Sequence, residues 1–480
     1  MNRAAIRFIL GWILNVEAAM MLLPIVVAVL YGESEGWTFV AAAACCLAIG
    51  IPCVVGGLRG NAFHSREGLV IVALSWLVLS IMGAVPFVLS GAIPSPVDAL
   101  FETVSGFTTT GASILTEVES LPRCILFWRS FTHWIGGMGV LVFILSIVPM
   151  SGGSHMHLMK AESPGPSVSK LTPKVQSTAK ILYEIYLVLT VVQVVLLLLG
   201  KMPLFDALTT TFGTAGTGGF GIKNDSMASY SPYLQNVTTV FMILFGINFN
   251  AYFLILMKRA KQLRYAEEVW GYLAIIGVSI AAIAWNIRHL YGTLEETLRH
   301  AAFQVATIIT TTGYSTTDFD QWPEFSRTIL VILMFIGACA GSTGGGLKVS
   351  RVLILCKTIR QEFHYFLHPR EVRVLRMEGR PLEGDTVRSV NVYLVTYVLM
   401  FTASVLLVSL DNKDLITTFT AVATTFNNVG PGLAGVGPLQ NFSHFSDFSK
   451  IIMTFDMLAG RLELFPVLLI FFPRTWKRFS

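Results

Sequence analysis

The sequence predicts an all-α integral membrane protein built from four degenerate helix/re-entrant loop/helix repeats, with two extra transmembrane helices at the N-terminus. Three observations carry this. Of the 480 residues, 54% are hydrophobic and only 13% charged, about half the charged share of soluble domains. Apolar runs long enough to cross roughly 30 Å of hydrocarbon recur along the chain. Between several of them lie apolar stretches rich in Thr and Gly, too short to cross and too hydrophobic for ordinary loops, and these stretches resemble one another.

In chain order, spans are expected at 6–30, 38–58, 69–91, 124–149, 177–199, 233–257, 268–288, 326–360, 389–410 and 448–472. The first is too long for a signal-peptide core and lacks a small-residue cleavage site, so it is expected to stay as a helix. The organisation that follows is 1–66 for two peripheral helices, 67–150 for repeat one and 151–175 for a cytoplasmic loop. Repeat two takes 176–262, repeat three 263–360, a cytoplasmic linker 361–387 and repeat four 388–480. With the N-terminus inside, this threading puts most Lys and Arg on inner segments and returns the C-terminus to the cytoplasm. Outer segments then hold an excess of acids, among them Glu117, Glu119, Asp318 and Asp320, which would concentrate cations unless they are ordinary solvated loop residues. The net charge of +5 reflects this distribution and not nucleic acid, because no basic stretch is interleaved with stacking aromatics. Six cysteines fall in or near apolar segments without zinc-site or disulfide spacing, and read as small core hydrophobes.

The re-entrant stretches are DALFETVSGFTTTGAS from Asp98, DALTTTFGTAGTGGFG from Asp206, HAAFQVATIITTTGYS from His300 and TTFTAVATTFNNVGPG from Thr417. Superposing their central glycines aligns Gly111, Gly218, Gly313 and Gly430, an internal repeat that sets the architecture. Irregular backbone at membrane depth is tolerated only where protein buries it or where it lines a water-filled path. One Thr-Gly turn is explained by capping or close packing. Four at equivalent positions point to four quarters around one ion pore.

The residues of the turns suit a bare cation. Glycine adopts angles that branched residues avoid and lets carbonyls point inward, while threonine offers a hydroxyl and a stiff backbone. A ring of carbonyls replaces the hydration shell of potassium, and each short helix aims the negative end of its dipole at the centre. The candidate filter comprises Thr109, Thr110 and Gly111; Thr217 and Gly218; Thr311, Thr312 and Gly313; and Asn428, Val429 and Gly430. Copy three, Thr-Thr-Gly-Tyr, comes close to the potassium-channel filter sequence. Copy four departs most, with asparagines where the others carry threonines.

Two further features lie in the second spans of repeats three and four. Gly341, Gly344, Gly345 and Gly346 fall in mid-span, where each glycine costs on the order of 1 kcal/mol relative to alanine, so a fixed kink or a flexible intramembrane loop is expected. Lys348 follows directly. Arg461 is expensive inside a span and therefore a functional candidate; Asp456 and Glu463 are its expected ion-pair partners. Glu17, Glu102 and Glu184 are further candidates for intramembrane pairing.

The ordered set of turns TTTGAS, GTGGFG, TTTGYS and NNVGPG, with HWIGGMG at 133–139 and GACAGSTGGGLK at 337–348, resembles the TrkH/KtrB family of bacterial potassium uptake proteins over essentially the whole chain. The two extra N-terminal spans are similar to its TrkH branch. The resemblance implies potassium uptake across a bacterial inner membrane, with the glycine loop obstructing the path beneath the filter and Arg461 facing the pore at the constriction. It also implies a homodimer and a cytoplasmic ring of nucleotide-binding regulatory subunits, so that any nucleotide response belongs to that partner. No cofactor is expected in this chain, and K+ is the transported ion.

Other motifs are discounted on context. Gly216 to Gly221 matches G-x-G-x-x-G but lacks the strand and helix of a dinucleotide site, and Leu347 separates the glycines from Lys348, unlike a phosphate loop. His133, His155 and His157 gather no third ligand, and no nucleophile, base and orienting acid assemble, so no enzyme is expected. Alternatives are a sodium or ammonium pore of the same build and, in a different class, a carrier for an organic solute.

Overall fold

Apolar periodic runs give helices throughout the computed structural model, which describes residues 3–55, 65–139, 175–371 and 374–476. Helices α1 (Arg3–Met20) and α2 (Leu22–Tyr31) form one long crossing, and α3 (Gly36–Val55) returns beside it. Small residues bring α1 and α3 together: a Cβ on Gly11 would lie 2.8 Å from Gly50 O, and one on Gly50 only 2.3 Å from Asn15 Oδ1, close backbone approach of the kind membrane helices use in place of a hydrophobic drive.

The four repeats follow. Repeat one is α4 (Ser65–Leu89), α5 (Pro96–Phe107) and α6 (Arg123–Met138). Repeat two is α7 (Val175–Leu199), α8 (Leu204–Gly216), α9 (Pro232–Phe245) and α10 (Phe249–Leu256). Repeat three is α11 (Glu267–Ile287), α12 (Leu294–Ile309), α13 (Glu324–Ile336) and α14 (Val349–Leu367). Repeat four is α15 (Gly384–Val408), α16 (Leu415–Phe426), α17 (Asp447–Arg461) and α18 (Phe465–Phe471). The small strands are Arg376–Met377 and Arg380–Pro381, paired antiparallel in a short hairpin.

The short helices α5, α8, α12 and α16 start at local stop-and-go signals. Ser95 accepts from Asp98 N with Pro96 in the first turn, Thr293 accepts from Glu296 N, and Asp414 accepts from Thr417 N at 2.9 Å; α8 begins directly after Pro203. These caps satisfy N–H groups that the helix itself leaves open.

Ten continuous spans are not what forms. Among the described residues, six helices are long and apolar enough to cross, or seven if one bent pair counts as a span. The second spans of repeats two, three and four are interrupted instead. α6 stops at Met138, and the rest of the expected 124–149 span, like most of the loop 151–175 with His155 and His157, lies outside the described residues. α9 and α10 meet at a bend of 89°. α13 and α14 flank the glycine loop, and α17 and α18 are separated by Leu462 to Leu464, where Glu463 and Leu464 take positive φ. Only the break in repeat three carries a glycine run to announce it. Interrupted spans expose backbone groups at membrane depth, which is tolerable only on a protein-lined axis.

Candidate functional site

Each short helix ends in the same unusual turn. Thr109 (φ 58°), Thr217 (φ 55°), Thr311 (φ 58°) and Asn428 (φ 56°) all adopt the left-handed region. For a β-branched residue this conformation is strained, and three threonines sharing it in equivalent turns mark a site where strain is retained for a purpose. The next residue donates its N–H to a helix carbonyl: Thr110 to Ser105 O, Gly218 to Gly213 O, Thr312 to Thr307 O and Val429 to Thr424 O, at 2.8–2.9 Å. After it comes a glycine at positive φ, namely Gly111, Gly219, Gly313 and Gly430. The backbone therefore corrects the sequence superposition of repeat two by one residue. Gly219 is the counterpart of Gly111, whereas Gly218 matches Thr110, Thr312 and Val429.

The glycines show that the four turns close on one another. A Cβ on Gly111 would lie 2.0 Å from Gly218 O, one on Gly219 2.0 Å from Thr312 O, one on Gly313 2.6 Å from Val429 O, and one on Gly430 2.8 Å from Thr110 O. Repeat one abuts two, two abuts three, three abuts four and four abuts one. The turns encircle a common axis in chain order, and their carbonyls of Thr110, Gly218, Thr312 and Val429 lie where glycine alone leaves room. Among the described residues no hydrogen bond is donated to these four oxygens, although the turns are buried. Buried carbonyls without donors are expensive unless a ligand takes the donors' place, and a dehydrated cation is such a ligand.

Side chains brace the ring. Thr108 and Thr110 share a hydroxyl contact of 2.8 Å, as do Thr310 and Thr312. In repeat four Asn428 Nδ2 donates to Thr110 Oγ1 and to Met457 O, both at 2.9 Å, so the divergent asparagine ties quarter four to quarter one. Tyr314 donates its hydroxyl to Thr210 O at 3.1 Å. His133 reaches Gly106 O through Nδ1 at 2.7 Å and accepts from Phe220 N through Nε2 at 3.1 Å, which fixes its tautomer as Nδ1–H and makes it a brace between repeats one and two. The glycines of HWIGGMG serve the same packing: a Cβ on Gly136 would sit 1.8 Å from Phe107 O.

Glu102 finds its partner in Arg129, a residue not singled out in the sequence. Arg129 Nε donates to Glu102 Oε1 at 2.6 Å with both side chains buried, and its Nη1 donates to Gly221 O at 2.8 Å. Glu102 also accepts from Ser113 Oγ and Ile114 N, each at 2.9 Å. One ion pair thus anchors the chain leaving two of the four turns. Breaking such a pair leaves an uncompensated buried charge at a cost of about 3–5 kcal/mol. Glu102→Gln is expected to lower the thermal unfolding temperature in detergent sharply, and adding Arg129→Met to restore part of the loss; equal unfolding of wild type and Glu102→Gln would remove this role. The other two candidate carboxylates differ. Glu184, 59% exposed, lies 3.9 Å from Lys180 one turn earlier in α7. Glu17 is buried in α1 near Gly83, and neither oxygen has a hydrogen-bond partner among the described residues.

Beneath the ring lies the glycine loop. Gly345 N donates to Thr311 Oγ1 at 2.7 Å, and Cβ atoms on Gly344 and Gly345 would meet Thr310 O at 2.9 Å and Asn427 O at 2.4 Å. Lys348 is buried and turns its ammonium back onto the loop, donating to Gly344 O and, at 3.3 Å, to Gly345 O. Arg461 reaches the loop from the opposite wall. Its Nη1 donates to Thr343 O at 2.7 Å and its Nη2 to Gly136 O at 2.6 Å and Gly137 O at 3.0 Å. The expected carboxylate partners are engaged elsewhere: Glu463 pairs with Arg351, and Asp456 accepts from Ser404 Oγ at 2.6 Å. Arg461 instead joins repeats one, three and four through main-chain oxygens, directly under the ring.

A family model described as TrkH, a cation transport protein, matches residues 49–278 and 272–478. The chain belongs to the TrkH family. The Trk system potassium uptake protein TrkH of Salmonella typhimurium is 36% identical over 99% of this chain and its own full length, and that of Escherichia coli K12 is 35% identical over 99% and 100%. The crystal structure of the potassium transporter TrkH from Vibrio parahaemolyticus superposes with a TM-score of 0.89 at 34% identity, covering 99% of this chain and all of that one. TrkH-family membership accords with the multi-pass apolar helices. Besides Arg129, no sequence pattern marks Asn248, Glu268 or Arg351, and Gly219 is marked only as one of several neighbouring glycines.

Proposed function

We propose that this chain is a potassium uptake protein with one pore, in which K+ sheds water at the main-chain oxygens around Thr109–Gly111, Thr217–Gly219, Thr311–Gly313 and Asn428–Gly430. The observation that carries this is the closed ring in which each quarter's glycine abuts the next quarter's carbonyl. Full-length relatives named as potassium uptake proteins support it. Below the ring, Gly341, Gly344, Gly345 and Gly346 with Arg461 form the gate, closed here by the contacts of Thr343 and Thr311. Arg461 adds a fixed positive charge to the barrier that a cation meets. The membrane potential drives entry with about 2.3 kcal/mol per charge per 100 mV.

The chain works in a bacterial inner membrane with both termini cytoplasmic, in keeping with the distribution of Lys and Arg. The family resemblance and the Trk-system names of the relatives support pairing as a homodimer and docking of a cytoplasmic nucleotide-binding regulatory subunit. The chain itself carries K+ as cargo and no cofactor in this reading.

The test is rubidium uptake into proteoliposomes holding the purified full chain under an inside-negative potential. Potassium is expected to compete strongly and sodium and ammonium weakly. Equal competition by sodium or ammonium would replace the reading with a less selective pore, and competition by an organic solute with a carrier.

A further inference from the structure

One carboxylate holds both roots of the glycine loop. Glu268, the second residue of α11, is only 3% exposed. Its Oε1 accepts from Ala340 N at 2.7 Å and from Ser350 N at 3.0 Å, and its Oε2 accepts from Asn248 Nδ2 at 3.5 Å. Ala340 precedes the glycine run and Ser350 follows it, so the same oxygen fixes the loop where it begins and where it ends. Among the described residues, each of these three hydrogen bonds is donated to the carboxylate. Glu268 stands in the first turn of its own helix α11, and Ser350 N lies in the first turn of α14, whose N-cap residue Lys348 supplies no side-chain cap. Two helix N-termini therefore converge on one acidic group, the arrangement in which a negative charge is most favoured and in which orphan N–H groups are satisfied from another element.

The third contact links the clamp to the broken span of repeat two. Asn248 sits at the 89° bend between α9 and α10, where its Oδ1 also accepts from Asn250 N at 2.9 Å. The loop is stitched to that bend: Cys339 N donates to Gly246 O and Phe249 N to Gly341 O, both at 3.1 Å, and Thr343 Oγ1 donates to Phe245 O at 3.2 Å. The break in repeat two is the seat of the loop from repeat three, and Glu268 closes the side of the seat.

We propose that Glu268 is a positioning residue of the gate, which sets the closed place of the intramembrane loop by clamping both its roots against the bend of repeat two. This rests on the reading that the loop gates a cation path. Glu268 does not touch the ring of carbonyls, so its loss should change how often the path is open and not which ion it passes.

The experiment measures rubidium flux through the purified full chain in proteoliposomes, with no other protein present, for wild type, Glu268→Gln, Glu268→Asp, Asn248→Asp and Arg461→Ala. Glu268→Gln turns one acceptor oxygen into a donor, which then faces Asn248 Nδ2 or the loop N–H groups. Its basal flux is expected to rise about tenfold, the change that follows from weakening hydrogen bonds to a charged group, with potassium-over-sodium competition as in wild type. Glu268→Asp should be intermediate. Asn248→Asp leaves Glu268 in place but sets a second carboxylate against it and should also raise flux, which keeps the test decisive where Glu268→Gln does not fold. Flux at or below the wild-type level in both Glu268→Gln and Asn248→Asp, with Arg461→Ala raised, overturns the clamp alone. A rise accompanied by lost potassium selectivity also overturns it, since that would place the effect in the filter. Failure of Arg461→Ala to raise flux overturns the gate reading beneath it.

Discussion

Gly219→Ala is expected to lower rubidium uptake at least tenfold, or to erase the preference for potassium over sodium, while Gly221→Ala two residues later leaves both near wild type. Gly219 sits at φ 77°, and an added Cβ would fall 2.0 Å from Thr312 O and 2.9 Å from Gly313 C. Neither atom is the end of a flexible side chain. Both belong to the turn of repeat three, so the methyl group must displace a carbonyl of the ring. About 1.4 kcal/mol of lost stabilisation already gives a tenfold change, and a backbone collision inside a close-packed turn exceeds that. At Gly221 the nearest atom to a new Cβ is Lys223 O at 3.5 Å, ordinary contact. The pair separates a defect in the ring from a general intolerance of alanine in this loop. Equal, near-normal transport by both variants would sink the ring as the selective element.

That register was only partly legible in the sequence. Repeats one and three each offer a single glycine after a run of threonines, and their alignment fixes itself. Repeat two offers Gly216, Gly218 and Gly219 around one threonine, and composition cannot say which of them the chain needs at positive φ. Spans were legible as apolar runs, but continuity of hydropathy does not report a bend. Only the glycine run of repeat three announced its break; Leu462, Glu463 and Leu464 read as ordinary helix, and no residue type there signals the left-handed backbone of Glu463 and Leu464. Charged residues followed the same rule. The sequence marks Arg461 as costly and offers nearby acids, yet its acceptors are main-chain oxygens from two other repeats, which no side-chain pattern records. Glu268 is likewise invisible as a clamp, because a glutamate beside a basic cytoplasmic segment reads as a solvated loop acid until the N–H groups of Ala340 and Ser350 are seen to converge on it.

Arg461→Ala is expected to raise basal rubidium flux by tenfold or more while leaving the order of ion preference unchanged. In this structure the guanidinium donates to Thr343 O, Gly136 O and Gly137 O. These are charge-assisted bonds to carbonyls at membrane depth, each worth about 1.5–3 kcal/mol where water does not compete. Loss of one bond's worth shifts a closed-to-open equilibrium by about tenfold or more. In the proposed pore, removing the side chain also removes a positive charge from below the ring, where it would oppose a cation leaving the filter. The two effects act in the same direction. Arg461→Lys keeps the charge but lacks the planar fork needed to reach two walls at once, so flux between wild type and Arg461→Ala is expected from it. Comparing the two variants at several potentials divides the latch from the charge, because a fixed charge in the path changes the voltage dependence of flux and a broken hydrogen bond changes mainly its amplitude. A flux in Arg461→Ala no greater than wild type, in protein of unchanged thermal stability, would show that the contacts across the axis do not hold the path shut.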